Sequence, residues 1–131
     1  AVPLGEVHLA QRHMAVGEPI LAVNCSHQAL NAAPRDHEVL LKMLEIHRRC
    51  AKMLSGPENF EGALRQLQCA LQHRQNDKPT RQALAERYVE QALYLEMQKN
   101  LDEARHLLEE ALTYADDDHD IIAHLRCLGD V

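Results

Sequence analysis

Glu61-Gly62-Ala63-Leu64-Arg65-Gln66-Leu67-Gln68-Cys69-Ala70-Leu71 and, later in the chain, Leu101-Asp102-Glu103-Ala104-Arg105-His106-Leu107-Leu108-Glu109-Glu110-Ala111-Leu112 are the stretches that decide the fold. In the first, Ala63, Leu67, Ala70 and Leu71 stand three and four residues apart; in the second, Leu101, Ala104, Leu108, Ala111 and Leu112 do the same. That spacing places each set on one apolar stripe of a helix. The two stretches are also in register with one another. Ala22, Ala63 and Ala104 are separated by 41 residues, as are Ala29, Ala70 and Ala111, and Leu30, Leu71 and Leu112. Ala10, Ala51 and Ala92 follow the same interval, and so do Asp36, Asp77 and Asp118. An alanine-rich chain produces one such triple by chance. Five in a single frame, one of them aspartate, mark an internal repeat.

Each repeat reads as two helices. The pattern predicts first helices at about 37–54 and 79–97, and second helices at about 58–74 and 101–115. Gly17 and Gly56 are expected to close first helices in the left-handed conformation that glycine adopts at least cost. Pro57 and Pro79 suit a first helical turn, where the missing N–H removes no bond. Asp36, Asp77 and Asp118 each precede a helix, where a carboxylate accepts from free amides and favours the positive end of the dipole. Alanines at the crossing points let helices approach closely, and Leu and Met fill the space between pairs. A lone pair cannot bury its stripes, so stacked neighbours complete the core.

The bulk composition agrees with a folded helical domain. In 131 residues, apolar types make up 46% and charged types 26%, which is globular rather than disordered. Aromatics are 3% with no Trp, so Ala and Leu carry the core, and strands, which favour β-branched and aromatic residues, are disfavoured. A net charge of −6 argues against general nucleic-acid binding. No apolar run approaches the roughly 18–20 residues of a membrane helix, and Ala1 to Gly5 do not read as a signal peptide. Cys25, Cys50, Cys69 and Cys127 form no Cys-x-x-Cys pair. They read as free, buried thiols in a reducing compartment, cytoplasm or nucleus.

The second-helix positions Ala63, Leu67, Ala70 and Gln75, Ala104, Leu108, Ala111 and Asp116, and Ala22, Ser26, Ala29 and Pro34 resemble the tetratricopeptide repeat signature of Ala, a large apolar residue, Ala and Pro. The first-helix aromatic of that signature stands as Tyr88, with His47 and Glu6 at the earlier copies; its small residue stands as Ala92, Ala51 and Ala10. The family's common period is about 34 residues. The longer interval here is similar to kinesin light chain repeats, whose Asp-His-Pro-like start compares with Asp36-His37-Glu38, Asp77-Lys78-Pro79 and Asp118-His119-Asp120. The asparagine ladder of those proteins' grooves is missing, so their peptide-binding residues do not carry over. The resemblance implies tandem antiparallel helix pairs in a right-handed superhelix. The expected division is repeat one at about 1–35, repeat two at about 36–76, repeat three at about 77–117, and the start of a fourth repeat or a capping helix at 118–131. The chain is expected to be a piece of a longer solenoid.

The resemblance further implies that first helices line a concave face. Arg48, Arg49 and Lys52 on one, and Glu86, Glu90 and Glu96 on the next, are then the candidate partner-binding residues. A basic zone beside an acidic one would orient a peptide by complementary charge. A second basic cluster, His73, Arg74, Lys78 and Arg81, could take a phosphate or an acidic partner; the plainer reading is a solvated turn. The expected function is a non-enzymatic module that presents the groove to a peptide or partner helix. The alternative is a structural subunit contacting its neighbours. Exposed repeat ends would permit homo-oligomers. A nucleic-acid reader would need a regular basic or base-reading residue, and Glu45 and Glu86 supply none. No cofactor or metal is expected: His8 and His13, like His119 and His124, are five apart, about 140° around a helix, and the single Glu103-x-x-His106 has no second copy. Cys25 and His27 lie two apart and diverge, so they make no nucleophile pair.

Overall fold

An aspartate side chain starts each of three helices in the computed structural model, which describes residues 36–129. Asp36 Oδ1 accepts from the Glu38 and Val39 amides at 3.0 and 3.2 Å, and Asp77 Oδ2 from the Thr80 amide at 3.2 Å. Asp118 Oδ1 accepts from the Asp120 and Ile121 amides at 3.0 and 3.2 Å. The recurring aspartate is therefore an N-cap that satisfies amides with no partner inside the helix. The elements are α1 (His37–Met53), a 3-10 turn (Pro57–Asn59), α2 (Phe60–His73), α3 (Lys78–Met97), α4 (Leu101–Tyr114) and α5 (His119–Gly129). Among the described residues there is no strand, and the chain is all-α. Repeat one at about 1–35, with Gly17, Ala22, Cys25 and Ala29, lies outside the described residues, as do residues 130–131.

The helices keep the interval of the sequence. α2 and α4 have 14 residues each and begin at the equivalent positions Phe60 and Leu101. The first helices differ: α1 has 17 residues and α3 has 20. Ser55-Gly56-Pro57 stops α1 early, because proline lacks an N–H and clashes with the preceding turn, whereas Glu96-Met97-Gln98 lets α3 run on. The expectation for Gly56 is corrected here. α1 ends at Met53 with Leu54 as its cap, and Gly56, at φ 92° and ψ 156°, opens the 3-10 turn instead of closing the helix. Its conformation is still one that only glycine adopts without strain. The left-handed closing residue is Lys99, φ 64°, after α3. There the Asn100 amide donates to the Leu95 carbonyl and the Lys99 amide to the Glu96 carbonyl, both at 2.9 Å.

α1 packs on α2, α2 on α3, α3 on α4 and α4 on α5, while α1 only grazes α3. Short connections between packed helices make these neighbours antiparallel. The core occupies equivalent positions in successive repeats: Ala51 and Ala92, Ala63 and Ala104, Leu67 and Leu108, Ala70 and Ala111 are all buried. Four of these alanines have no exposed surface at either copy of the second helix, so a larger side chain there would force the helices apart. The position of Tyr88 is also buried in both copies. Tyr88 meets Phe60 edge-on at 5.7 Å and stacks on Tyr114 at 5.9 Å. His47, its equivalent, places Nδ1 3.1 Å from Gln66 Oε1.

Candidate functional site

Between α1 and α3, which touch only lightly, lies a cleft of about 360 Å³. Its bottom includes the buried Leu67 of α2; Arg48, Arg49 and Lys52 form the α1 side, and Glu86 and Glu90 the α3 side. A second cleft of about 390 Å³ opens one repeat later between α3 and α5, above the buried Leu108. The two share five equivalent positions of the repeat. Glu45, Arg48, Lys52, Leu67 and Ala83 of the first correspond at the repeat interval to Glu86, Val89, Leu93, Leu108 and His124 of the second. The same face of the repeat is thus hollow twice, with different chemistry each time. Glu86 borders both hollows.

Five of the six expected residues, Arg48, Arg49, Lys52, Glu86 and Glu90, meet at the first cleft. Their availability differs. Arg48 is committed to the fold: its Nη1 lies 3.1 Å from Asp77 Oδ2 and donates to Thr80 Oγ1 at 3.4 Å. Asp77 is itself buried and also receives the Thr80 hydroxyl. Glu90 pairs at 3.2 Å with Arg87, a buried arginine that sequence reasoning passed over. Arg49 and Lys52 are exposed and form no hydrogen bond or ion pair among the described residues. Glu86 is exposed and accepts only from Gln82 Nε2 at 3.4 Å. Glu96 lies apart from the first cleft. It reaches His124 Nε2 at 2.6 Å, at the edge of the second.

Arg81, Arg87 and Arg105 follow one physical rule, a guanidinium turned onto carbonyls at or beside helix ends. Arg87 Nη2 donates to the Gly56 and Leu54 carbonyls at 2.7 and 3.3 Å, across the broken end of α1, and its Cζ lies 5.5 Å from the centre of the Phe60 ring. Arg81 donates to the Thr113 carbonyl at 2.9 Å and the Gln75 carbonyl at 3.3 Å, over the Tyr114 ring. Arg105 donates to the Leu128 carbonyl at 2.9 Å. The cluster of His73, Arg74, Lys78 and Arg81 therefore contributes one arginine to packing and leaves Arg74 and Lys78 exposed.

The other reactive side chains are quiet. Burial pushes the Cys50 thiol up to about 11, and burial also raises Cys69. Neither thiol gains the thiolate character that a nucleophile needs. Cys127 is exposed, which corrects the expectation of four buried thiols. It occupies the position of Glu45 and Glu86, which the repeat points at solvent. Among the described residues no group of three His, Cys, Asp or Glu side chains is placed to hold a metal ion. Glu103 instead accepts from Asn100, and His106 faces Glu110 at 3.9 Å. No described helix is long and apolar enough to cross a membrane.

Val89, Leu93 and His124 are the site residues that sequence reasoning missed. The signal was present: the repeat interval added to Arg48 and Lys52 gives Val89 and Leu93. No protein-family model matches the chain, and no curated protein sequence is similar to it, so its reading rests on the repeat, the two clefts and the groups that line them.

Proposed function

We propose that this chain is a non-enzymatic protein-interaction module, whose first helices form one face of a right-handed, tetratricopeptide-like superhelix and present a groove to a peptide or partner helix. The observation that carries this reading is the pair of equivalent clefts. A hollow that recurs at the repeat interval, with a buried leucine at its bottom and exposed charge at its rim, suits a ligand lying across successive repeats. Arg49 and Lys52 beside Glu45, Glu86 and Glu90 supply both signs of charge for orientation. The unpaired thiols of Cys50 and Cys127 support a reducing compartment, cytoplasm or nucleus.

The second reading is a structural subunit. Tyr94, Met97 and Leu101 favour it: they are exposed around the α3–α4 turn, Met97 at 81%, on a tip away from the cleft bottoms. Photo-crosslinking separates the two. A photoreactive residue in place of Lys52 or Leu93 tests the clefts; one in place of Gln68 or Glu109, equivalent exposed positions on α2 and α4, tests the outer helices. Adducts from the clefts alone are the expected outcome. Adducts from Gln68 and Glu109, or from Met97, with none from the clefts give the structural-subunit reading its place.

A further inference from the structure

The two clefts share positions in the repeat but not a chemistry. Where the first has Arg48 and Lys52, the second has Val89 and Leu93. Leu93 is 47% exposed although it borders a hollow whose interior includes the buried Leu108 and Ile121. The second cleft is therefore an apolar slot with an open side. Its charged rim has one sign. Glu86 and Asp120 are exposed and Asp118 is half-buried, while no Lys or Arg lines the cleft. The remaining titratable lining group, His124, is held by Glu96. Asp118 gives Oδ1 to the cap of α5, which leaves its second oxygen for a donor.

Resting on the interaction-module reading, we propose that the second cleft binds a basic amphipathic segment of a partner protein. Its aliphatic side chains sit between Val89 and Leu93, above Leu108, and its Lys or Arg side chains face Glu86, Asp118 and Asp120. Charge complementarity selects this occupant. An acidic segment would set carboxylates against carboxylates at a partly desolvated rim, and a wholly apolar one would leave the rim charges unmatched. The first cleft mixes Arg49 and Lys52 with Glu45 and Glu86, so it offers such lysines no rim of a single sign. The contrast between Arg48 with Lys52 and Val89 with Leu93 thus supplies direction along the groove.

The test uses the whole 131-residue chain and three fluorescein-labelled synthetic peptides. The first carries leucines at i, i+4 and i+7 with lysines between, the second is its scrambled isomer, and the third has Glu for every Lys. Fluorescence anisotropy should show the first binding at least about tenfold more tightly than the other two. L93K should abolish the preference. Q68K, the same charge change on the exposed face of α2, should leave it unchanged. Circular dichroism verifies that both variants remain helical, which exposed positions permit. Equal binding of the Lys and Glu peptides, equal effects of L93K and Q68K, or no binding of any peptide overturns the proposal. So does a concentration-dependent dimer that L93K dissociates, since the occupant is then a second copy of the chain. Binding of the Glu peptide alone, lost in R49E/K52E, leaves the interaction-module reading standing and overturns this assignment.

Discussion

Arg48, Asp77 and Thr80 show how one residue type forces the next. Thr80 is wholly buried where the equivalent positions hold Val39 and Ile121. A hydroxyl in such a place needs partners, and it has two: it donates to Asp77 Oδ2 and accepts from Arg48 Nη1. One repeat later the arginine is Val89 and the threonine is Ile121, so the polar link and its partner change together. Replacing Thr80 by Ile removes the hydroxyl while the arginine and the buried aspartate remain. It should cost about 1–3 kcal/mol in urea unfolding, the range for disturbing a bond to a charged group. The double change R48V/T80I reproduces the apolar pair and should recover at least half of that loss. If the double variant loses the sum of its two single changes, the three residues are not a coupled unit.

The interval, the alternation of long helices and the aspartate caps were legible because packing positions and cap positions recur whenever the geometry does. Ala63 with Ala104, and Leu67 with Leu108, could be read from the sequence for that reason. The arginine contacts could not. Their acceptors are the carbonyls of Leu54, Gly56, Thr113 and Leu128, and a carbonyl has no letter of its own. Arg48 was assigned to the groove without its tie to Asp77, and Glu96 without its bond to His124, because each partner lies 29 or 28 residues away on another element. Helix ends were half legible. Gly56 was recognised as a special position but in the wrong role, whereas Lys99, in the left-handed region at φ 64°, gave no warning. That region costs a non-glycine residue roughly 1–2 kcal/mol. K99G should therefore raise stability by about 0.5–1 kcal/mol, against the usual cost of an added glycine. A lower thermal midpoint would show that the Lys99 side chain contributes more than its backbone costs.

Across the molecule, stability should carry an alkaline signature. Cys50 ionises near 9.0 when unfolded and about 11 when folded, because burial disfavours the thiolate. Cys69 is raised by burial, and Tyr88 by burial and then by Tyr114 and Glu110. The folded chain therefore holds these protons more tightly than the unfolded chain. The Cys50 contribution is fully present below about pH 9 and is lost as pH climbs toward about 11, a loss on the order of 2 kcal/mol, and Cys69 and Tyr88 add to the alkaline decline in the same direction. Chemical denaturation at stepped pH should show that decline, and C50A should begin lower and fall less. A profile identical to that of C50A would remove Cys50 from the account.

The linkers between paired helices have a consequence for how such an array can change its length and outline. Residues 54–59 are a broken end and a 3-10 turn, while 95–100 are three more residues of helix and a sharp turn, yet Phe60 and Leu101 begin their helices at the same count. Arg87 fills the carbonyls exposed by the broken version; its equivalent beside the unbroken version is Leu128. The chain thus treats the linker as an interchangeable part with its own matching key on the next helix. Exchanging both pieces together would redraw the silhouette of the tip without altering the phase of anything behind it, whereas inserting a single residue within a helix would rotate the remainder of that helix's stripe by about 100°.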